Sequence, residues 1–111
     1  MSNSLVAVTR ENHDSFVLQA STPVFLYFRA DWCVTCKSVV RLIEDLASQY
    51  DSEILTFGCV DVGKDEDLGV LYNVSGLPSY RIVESGTSYD IQGQPTKTSL
   101  DLMLTNFVSR T

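Results

Sequence analysis

An α/β fold built on a partly parallel sheet is what this sequence predicts, and three observations predict it. Short apolar strands alternate with segments of helical periodicity through most of the chain. The run Val24-Phe25-Leu26-Tyr27-Phe28 is apolar or aromatic at every position, as a central strand covered on both faces would be. Soon after it, Val39, Val40, Ile43, Leu46, Ala47 and Tyr50 recur at helical spacing. Strand, helix, strand in that order implies right-handed crossovers, which set strands parallel and put helices on the faces of the sheet.

Taken in order, Ser4 to Val8 reads as the first strand, with Leu5, Val6 and Val8 as its apolar positions. Thr9 is placed to cap a helix over roughly Arg10 to Ala20, with Phe16, Val17 and Ala20 facing inward. His13 then falls on the solvent side, with no neighbour in sequence to shuttle a proton. Ser21-Thr22-Pro23 breaks this helix, and Val24 to Arg29 is the second strand. The second helix runs from Cys33 to about Tyr50, and Ile54 to Val62 forms the third strand. Gly63 to Asp67 is a polar turn into a short helix ending near Tyr72, weakened by Gly69. Ser79 to Val83 and Ser88 to Ile91 flank Glu84-Ser85-Gly86-Thr87, the spacing of an antiparallel hairpin. After the loop Gly93-Gln94-Pro95, Thr98 with Asp101 caps a last helix whose stripe is Leu100, Met103, Leu104, Phe107 and Val108.

With 111 residues, the chain is expected to be a single domain over residues 1–111 with a core that needs no staples. Hydrophobic content of 44% and charged content of 20% are those of a globular protein, and no stretch is long enough to cross a bilayer. A cytoplasmic monomer is expected. The net charge of −6, with eight scattered Lys and Arg, argues against nucleic acid as a partner.

Chemistry concentrates at Asp31-Trp32-Cys33-Val34-Thr35-Cys36-Lys37. Cysteines 33, 36 and 59 make a poor structural framework, because an odd count leaves one unpaired and the close pair would constrain almost no loop. Zinc needs about four ligands, and only Cys59 and His13 remain, neither at ligand spacing. Redox chemistry explains the spacing better, and it calls for no metal or organic cofactor. Cys33 lies where a strand hands over to a helix, whose unpaired N–H groups and positive dipole end favour a thiolate. Cys36 falls on the same face, near enough to close a small disulfide ring.

The order Ala30-Asp31-Trp32-Cys33-Val34-Thr35-Cys36-Lys37, Val60-Asp61-Val62, Leu68 to Val74, Gly76-Leu77-Pro78-Ser79 and Gly93 resembles the thioredoxin family over essentially the whole chain. The resemblance implies a thioredoxin fold, a central mixed sheet of about five strands flanked by four helices. It implies Cys33 as the exposed nucleophile and Cys36 as the buried resolving thiol. Leu77-Pro78 would match the family's cis-proline turn against the disulfide. The sequence also departs from the family pattern. Val34-Thr35 stands where Gly-Pro is usual, which gives Thr35 a backbone donor. Tyr27 and Cys59 stand where the family places a buried acid and its lysine, so neutral groups replace an ion pair. A phenol is a poor base near neutrality, although its hydroxyl or a water could relay a proton from Cys36.

The activity this implies is thiol–disulfide exchange on disulfide-containing protein substrates, with a thioredoxin reductase or an equivalent dithiol donor restoring the pair. Trp32, Val34, Gly76, Leu77, Pro78 and Gly93 are the expected substrate-binding residues, an apolar patch against which an extended segment can lie. Tyr27, Lys37 and Cys59 are supporting residues: Lys37 either favours the thiolate or is simply solvated, and Cys59 reads as strand core. Arg29 is expected near the site, and Asp61 in the turn after its strand. Two rivals stand beside a reductase: a binding module with vestigial cysteines, and an oxidase or isomerase of the same fold.

Overall fold

The computed structural model describes residues 3–91 and 96–109. Its strands are β1 (Leu5–Val8), β2 (Val24–Arg29), β3 (Thr56–Asp61), β4 (Ser79–Glu84) and β5 (Thr87–Ile91). The helices are α1 (Val34–Ala47), α2 (Glu66–Leu71) and α3 (Lys97–Ser109), preceded by a single π-helical turn at Asp14–Leu18. One sheet has the order β1-β3-β2-β4-β5, parallel across its first three strands and antiparallel from β2 to β4 and β4 to β5.

The continuous apolar run puts β2 at the centre, and Val24 to Phe28 are all fully buried. Alternation along the strand then feeds two cores. Phe25 and Tyr27 join Ile43 and Leu46 of α1, and Leu100 and Leu104 of α3, on one face. Val24, Leu26 and Phe28 join Val17, Leu68 and Tyr72 on the other. The β4–β5 hairpin turns through Ser85 and Gly86, at φ 52° and 82°, the pair of left-handed residues that a two-residue loop matched to strand twist requires. Among the described residues, no helix is long and apolar enough to cross a membrane.

Five sequence expectations are corrected here. The first helix shrinks to the π-helical turn, closed by Gln19 N–H donating to Asp14 O at 2.9 Å. Thr9 does not cap it through its hydroxyl. The N-cap is His13, with no side-chain cap bond, and Asn12 ties the turn back to β1, its Oδ1 accepting from Thr9 N at 2.8 Å and its Nδ2 donating to Ala7 O at 2.9 Å. His13 is not on the solvent side. It is 3% exposed, with Nε2 2.5 Å from the Tyr72 hydroxyl and Nδ1 3.3 Å from Asp14 Oδ1. At α3, Thr96 and Ser99 form the reciprocal cap, Ser99 N donating to Thr96 Oγ1 at 3.1 Å and Thr96 N to Ser99 Oγ at 2.9 Å. Asp101, expected as the cap partner of Thr98, instead accepts from the Tyr50 hydroxyl at 2.7 Å. Met103 of the predicted stripe is 38% exposed, while Leu100 and Leu104 are buried.

Candidate active site

Strand β2 delivers the chain to the site. Cys33 N–H donates to Ala30 O at 3.1 Å, closing the turn that carries Asp31 and Trp32 outward. Cys33 is extended, at φ −88° and ψ 103°, and is the N-cap of α1. Its Sγ accepts from Cys36 N–H at 3.2 Å, so a first-turn amide that lacks a helical partner points at sulfur. Cys33 and Cys36 are joined as a disulfide, their Cα atoms 5.3 Å apart. The same geometry favours a negative charge on Cys33 when the pair is reduced, through that amide and the positive end of the helix.

Cys33 is less open than expected. It is 6% exposed and Cys36 is fully covered, because both sulfurs belong to the core cluster on the α1 and α3 face. Of the two, Cys33 keeps the slight exposure, between Trp32 at 73% and Val34 at 79%. The Leu77–Pro78 peptide is cis. Leu77 packs against the cluster that contains both cysteines, Pro78 is buried, and Ser79 Oγ donates to Gly76 O.

Beside the disulfide lies an open groove of about 230 Å³, lined by Trp32, Val62, Gly69, Val74, Ser75, Gly76 and Leu77. Trp32, Gly76 and Leu77 are thus brought together as expected, whereas Val34 is exposed but does not line the groove. Gly93 lies outside the described residues. Val62, Gly69, Val74 and Ser75 were not singled out by sequence reasoning. Their signal was adjacency: Val74 and Ser75 precede Gly76-Leu77, and Val62 follows the strand end at Asp61. A larger cavity of about 370 Å³ sits elsewhere, between Leu18, Tyr72 and the β4–β5 hairpin, and neither Cys33 nor Cys36 lines it.

Tyr27 and Cys59 are directly paired across β2 and β3, so the two neutral replacements do face one another. The Tyr27 hydroxyl donates to Cys36 O at 2.7 Å. Burial pushes the phenol far above its ordinary range, helped by Cys59 and Tyr80. Burial likewise pushes the Cys59 thiol up to about 11. Neither group accepts a proton near neutrality. The proton of the Tyr27 hydroxyl is directed at the Cys36 carbonyl.

Arg29 braces the rim. Its Nη1 is 2.9 Å from Asp61 Oδ2 and its Nη2 is 2.8 Å from Asp31 Oδ1. The hydrogen bond to Asp31 raises the guanidinium further, and Arg29 holds the Asp31 carboxyl below its usual range. Asp61 also accepts from Gly63 N at 2.9 Å and Lys64 N at 3.3 Å, which fixes the turn after β3 as expected. Lys37 is exposed on α1, the solvated reading of that residue. Among the described residues, no three His, Cys, Asp or Glu side chains are grouped to hold a metal ion.

A five-stranded mixed sheet with a joined cysteine pair at the start of a helix, one sulfur outside the other, defines a redox protein of the thiol–disulfide oxidoreductase class. The comparisons make the assignment specific. The family model Thioredoxin matches residues 4–106, and the chain belongs to the thioredoxin family. Thioredoxin C-2 of Corynebacterium nephridii is 36% identical over 86 residues, covering 78% of this chain and 79% of that protein. Thioredoxin 1 of Synechococcus elongatus is 32% identical over 97 residues, covering 85% and 88%. A probable protein disulfide-isomerase A4 of Caenorhabditis elegans is 33% identical over 91 residues, 80% of this chain but only 15% of that protein. The solution structure of the first thioredoxin domain of mouse protein disulfide-isomerase A4 superposes with a TM-score of 0.82 at 24% identity, covering 92% of this chain and 74% of that one. Identity that low shows the shared fold alone.

Proposed function

We propose that this chain is a protein dithiol–disulfide reductase in which Cys33 attacks and Cys36 resolves. The observation that carries this reading is the placement of Cys33 Sγ, capped by the Cys36 amide at the start of α1 and next in the chain to Trp32 of the groove, with Cys36 more deeply buried. In the reduced protein the Cys33 thiolate attacks one sulfur of a substrate disulfide, forming a mixed disulfide and expelling the other sulfur as a thiolate. Cys36, as thiolate, then attacks Cys33 Sγ. The substrate sulfur bonded to Cys33 leaves as a thiolate, the internal disulfide forms, and two electrons have passed to the substrate. A thioredoxin reductase or equivalent dithiol donor returns them.

Extended substrate backbone would lie along Trp32, Gly76, Leu77 and Pro78, with Val34 at its margin. Gly76 suits this, since a methyl group added there would meet nothing within 4 Å, leaving the groove wall open to a visiting backbone. The cysteine pair, rather than any cofactor, holds the electrons. We place the protein, as a monomer, in a reducing compartment such as the cytoplasm.

Trapping tests the order of attack. Cys36→Ser should accumulate mixed disulfides with a disulfide-bonded protein such as insulin, because the resolving sulfur is gone. Cys33→Ser should accumulate none. Equal trapping by both variants would reverse or abolish the assigned roles. A second reading, an isomerase, is favoured by the disulfide-isomerase relative, and the two readings part on reduction potential.

A further inference from the structure

Beneath the disulfide, the side chain that reaches the cysteine loop from the sheet is a tyrosine, and the contact it makes is to backbone. Tyr27 Oη is 2.7 Å from Cys36 O, and the residue is fully buried. Its ring stacks on Tyr80, centroids 5.9 Å apart and planes 20° apart, and Tyr80 is its register partner on β4. Tyr80 lies two residues beyond Pro78. One side chain therefore ties the first turn of α1, where Cys36 sits, to the strand that carries the groove wall.

We propose that Tyr27 is a positioning residue for the resolving step: its hydroxyl, donating to the Cys36 carbonyl, fixes the peptide from which the Cys36 sulfur projects and so aims that sulfur at Cys33. This rests on the reading of Cys33 as attacker and Cys36 as resolver. With its own proton committed to that carbonyl, the hydroxyl is assigned no part in taking up the Cys36 proton. The titratable and charged groups that bear on Tyr27 are Cys59 on β3, Tyr80 on β4 and Arg29 on its own strand. The two uncharged ones are held protonated by burial, and Arg29 is engaged with Asp31 and Asp61, so none of them takes the proton either. The first step, attack by Cys33, draws on the Cys36 N–H at Cys33 Sγ, which belongs to the preceding peptide rather than to the carbonyl that Tyr27 holds.

The reduced protein mixed with the aromatic disulfide dithiobis(nitrobenzoate) separates the two steps. Cys33 thiolate attacks the reagent, forming a mixed disulfide and releasing one nitrothiobenzoate. Cys36 thiolate then attacks Cys33 Sγ and releases the second, so the protein loses two electrons and the reagent becomes two coloured thiolates. Tyr27→Phe should leave the first release within twofold of the parent and slow the second about fivefold, the worth of one neutral hydrogen bond. The pH profile of the second release should keep its shape. Incorporating 3-fluorotyrosine at position 27 keeps the hydroxyl but makes it more acidic, and both releases should then match the parent. That variant also carries the test if Tyr27→Phe fails to fold.

An unchanged second release in Tyr27→Phe would overturn the proposal. So would a second release whose pH profile moves to lower pH with 3-fluorotyrosine, because that is the behaviour of a proton relay. A parent protein that shows no second release linked to Cys36 would instead overturn the underlying reading of the cysteine pair.

Discussion

Trp32→Ala should separate the binding of protein substrates from the stability of the fold. The residue is 73% exposed, so about a quarter of it is covered by the protein itself. For an aromatic side chain of about 200 Å², that is roughly 50 Å² covered, worth at most about 1.3 kcal/mol at 25 cal/mol per Å². The remaining roughly 150 Å² is available to a substrate lying in the groove, about 3.7 kcal/mol by the same measure. Ordering the substrate and partial burial reduce this to about 2 kcal/mol, typical of an aromatic anchor at a contact. That corresponds to roughly 30-fold in kcat/KM for a folded protein disulfide. A small aromatic disulfide, with no segment to lay along the groove, should lose less than about threefold. The assay is steady-state reduction of both substrates alongside a thermal melt. Loss of equal size for both substrates would refute the reasoning, as would full activity on the protein substrate.

Other outcomes follow from the core and its buried polar groups. Gly58→Ala places a methyl group 2.6 Å from Val8 Cγ2 and 3.0 Å from Leu26 Cδ2, both in strands that flank β3. The overpacking should cost about 1–3 kcal/mol, read as a lower urea midpoint, and an unchanged midpoint would contradict the close approach. Tyr72→Phe removes the partner of the buried His13 Nε2 and should cost about 1–3 kcal/mol by the same measurement. The Cys59 thiol is held protonated in the fold to about 11, above its ordinary 9.0, and Tyr72 to about 12. A folded value raised above the unfolded one gives stability that is complete below the unfolded value and lost as pH rises past it. Stability of the disulfide form should therefore be level in this respect up to about pH 9 and fall beyond it. A midpoint that rises between pH 9 and 10.5 would contradict that burial.

Strand β2 was legible to the residue because a fully buried strand is apolar at every position, and the cysteine pair was legible because its spacing has one chemical use at a strand-to-helix junction. The hairpin was legible from Ser85-Gly86. What the sequence hid depends on contacts between distant residues. His13 looked solvated because Tyr72, which accepts it into the core, lies 59 positions away. Arg81 gave no signal either, yet it is 7% exposed, bonded to Tyr72 O and paired with Asp90 at 2.8 Å, holding the end of α2 beside the larger cavity. The Thr96 cap was missed because Thr98 offered the same pattern two residues later. The near burial of Cys33 could not be read from a motif, since it depends on how deeply α1 sits against β2 and β4.

The measurement that bears most directly on the reductase assignment is the reduction potential of the Cys33–Cys36 pair at pH 7, obtained by equilibrating the protein with a graded glutathione buffer and counting reduced thiols. The account predicts a value near −270 mV, in the range of reducing thioredoxins. A value near or above about −180 mV would contradict it and make this protein an isomerase or an oxidant.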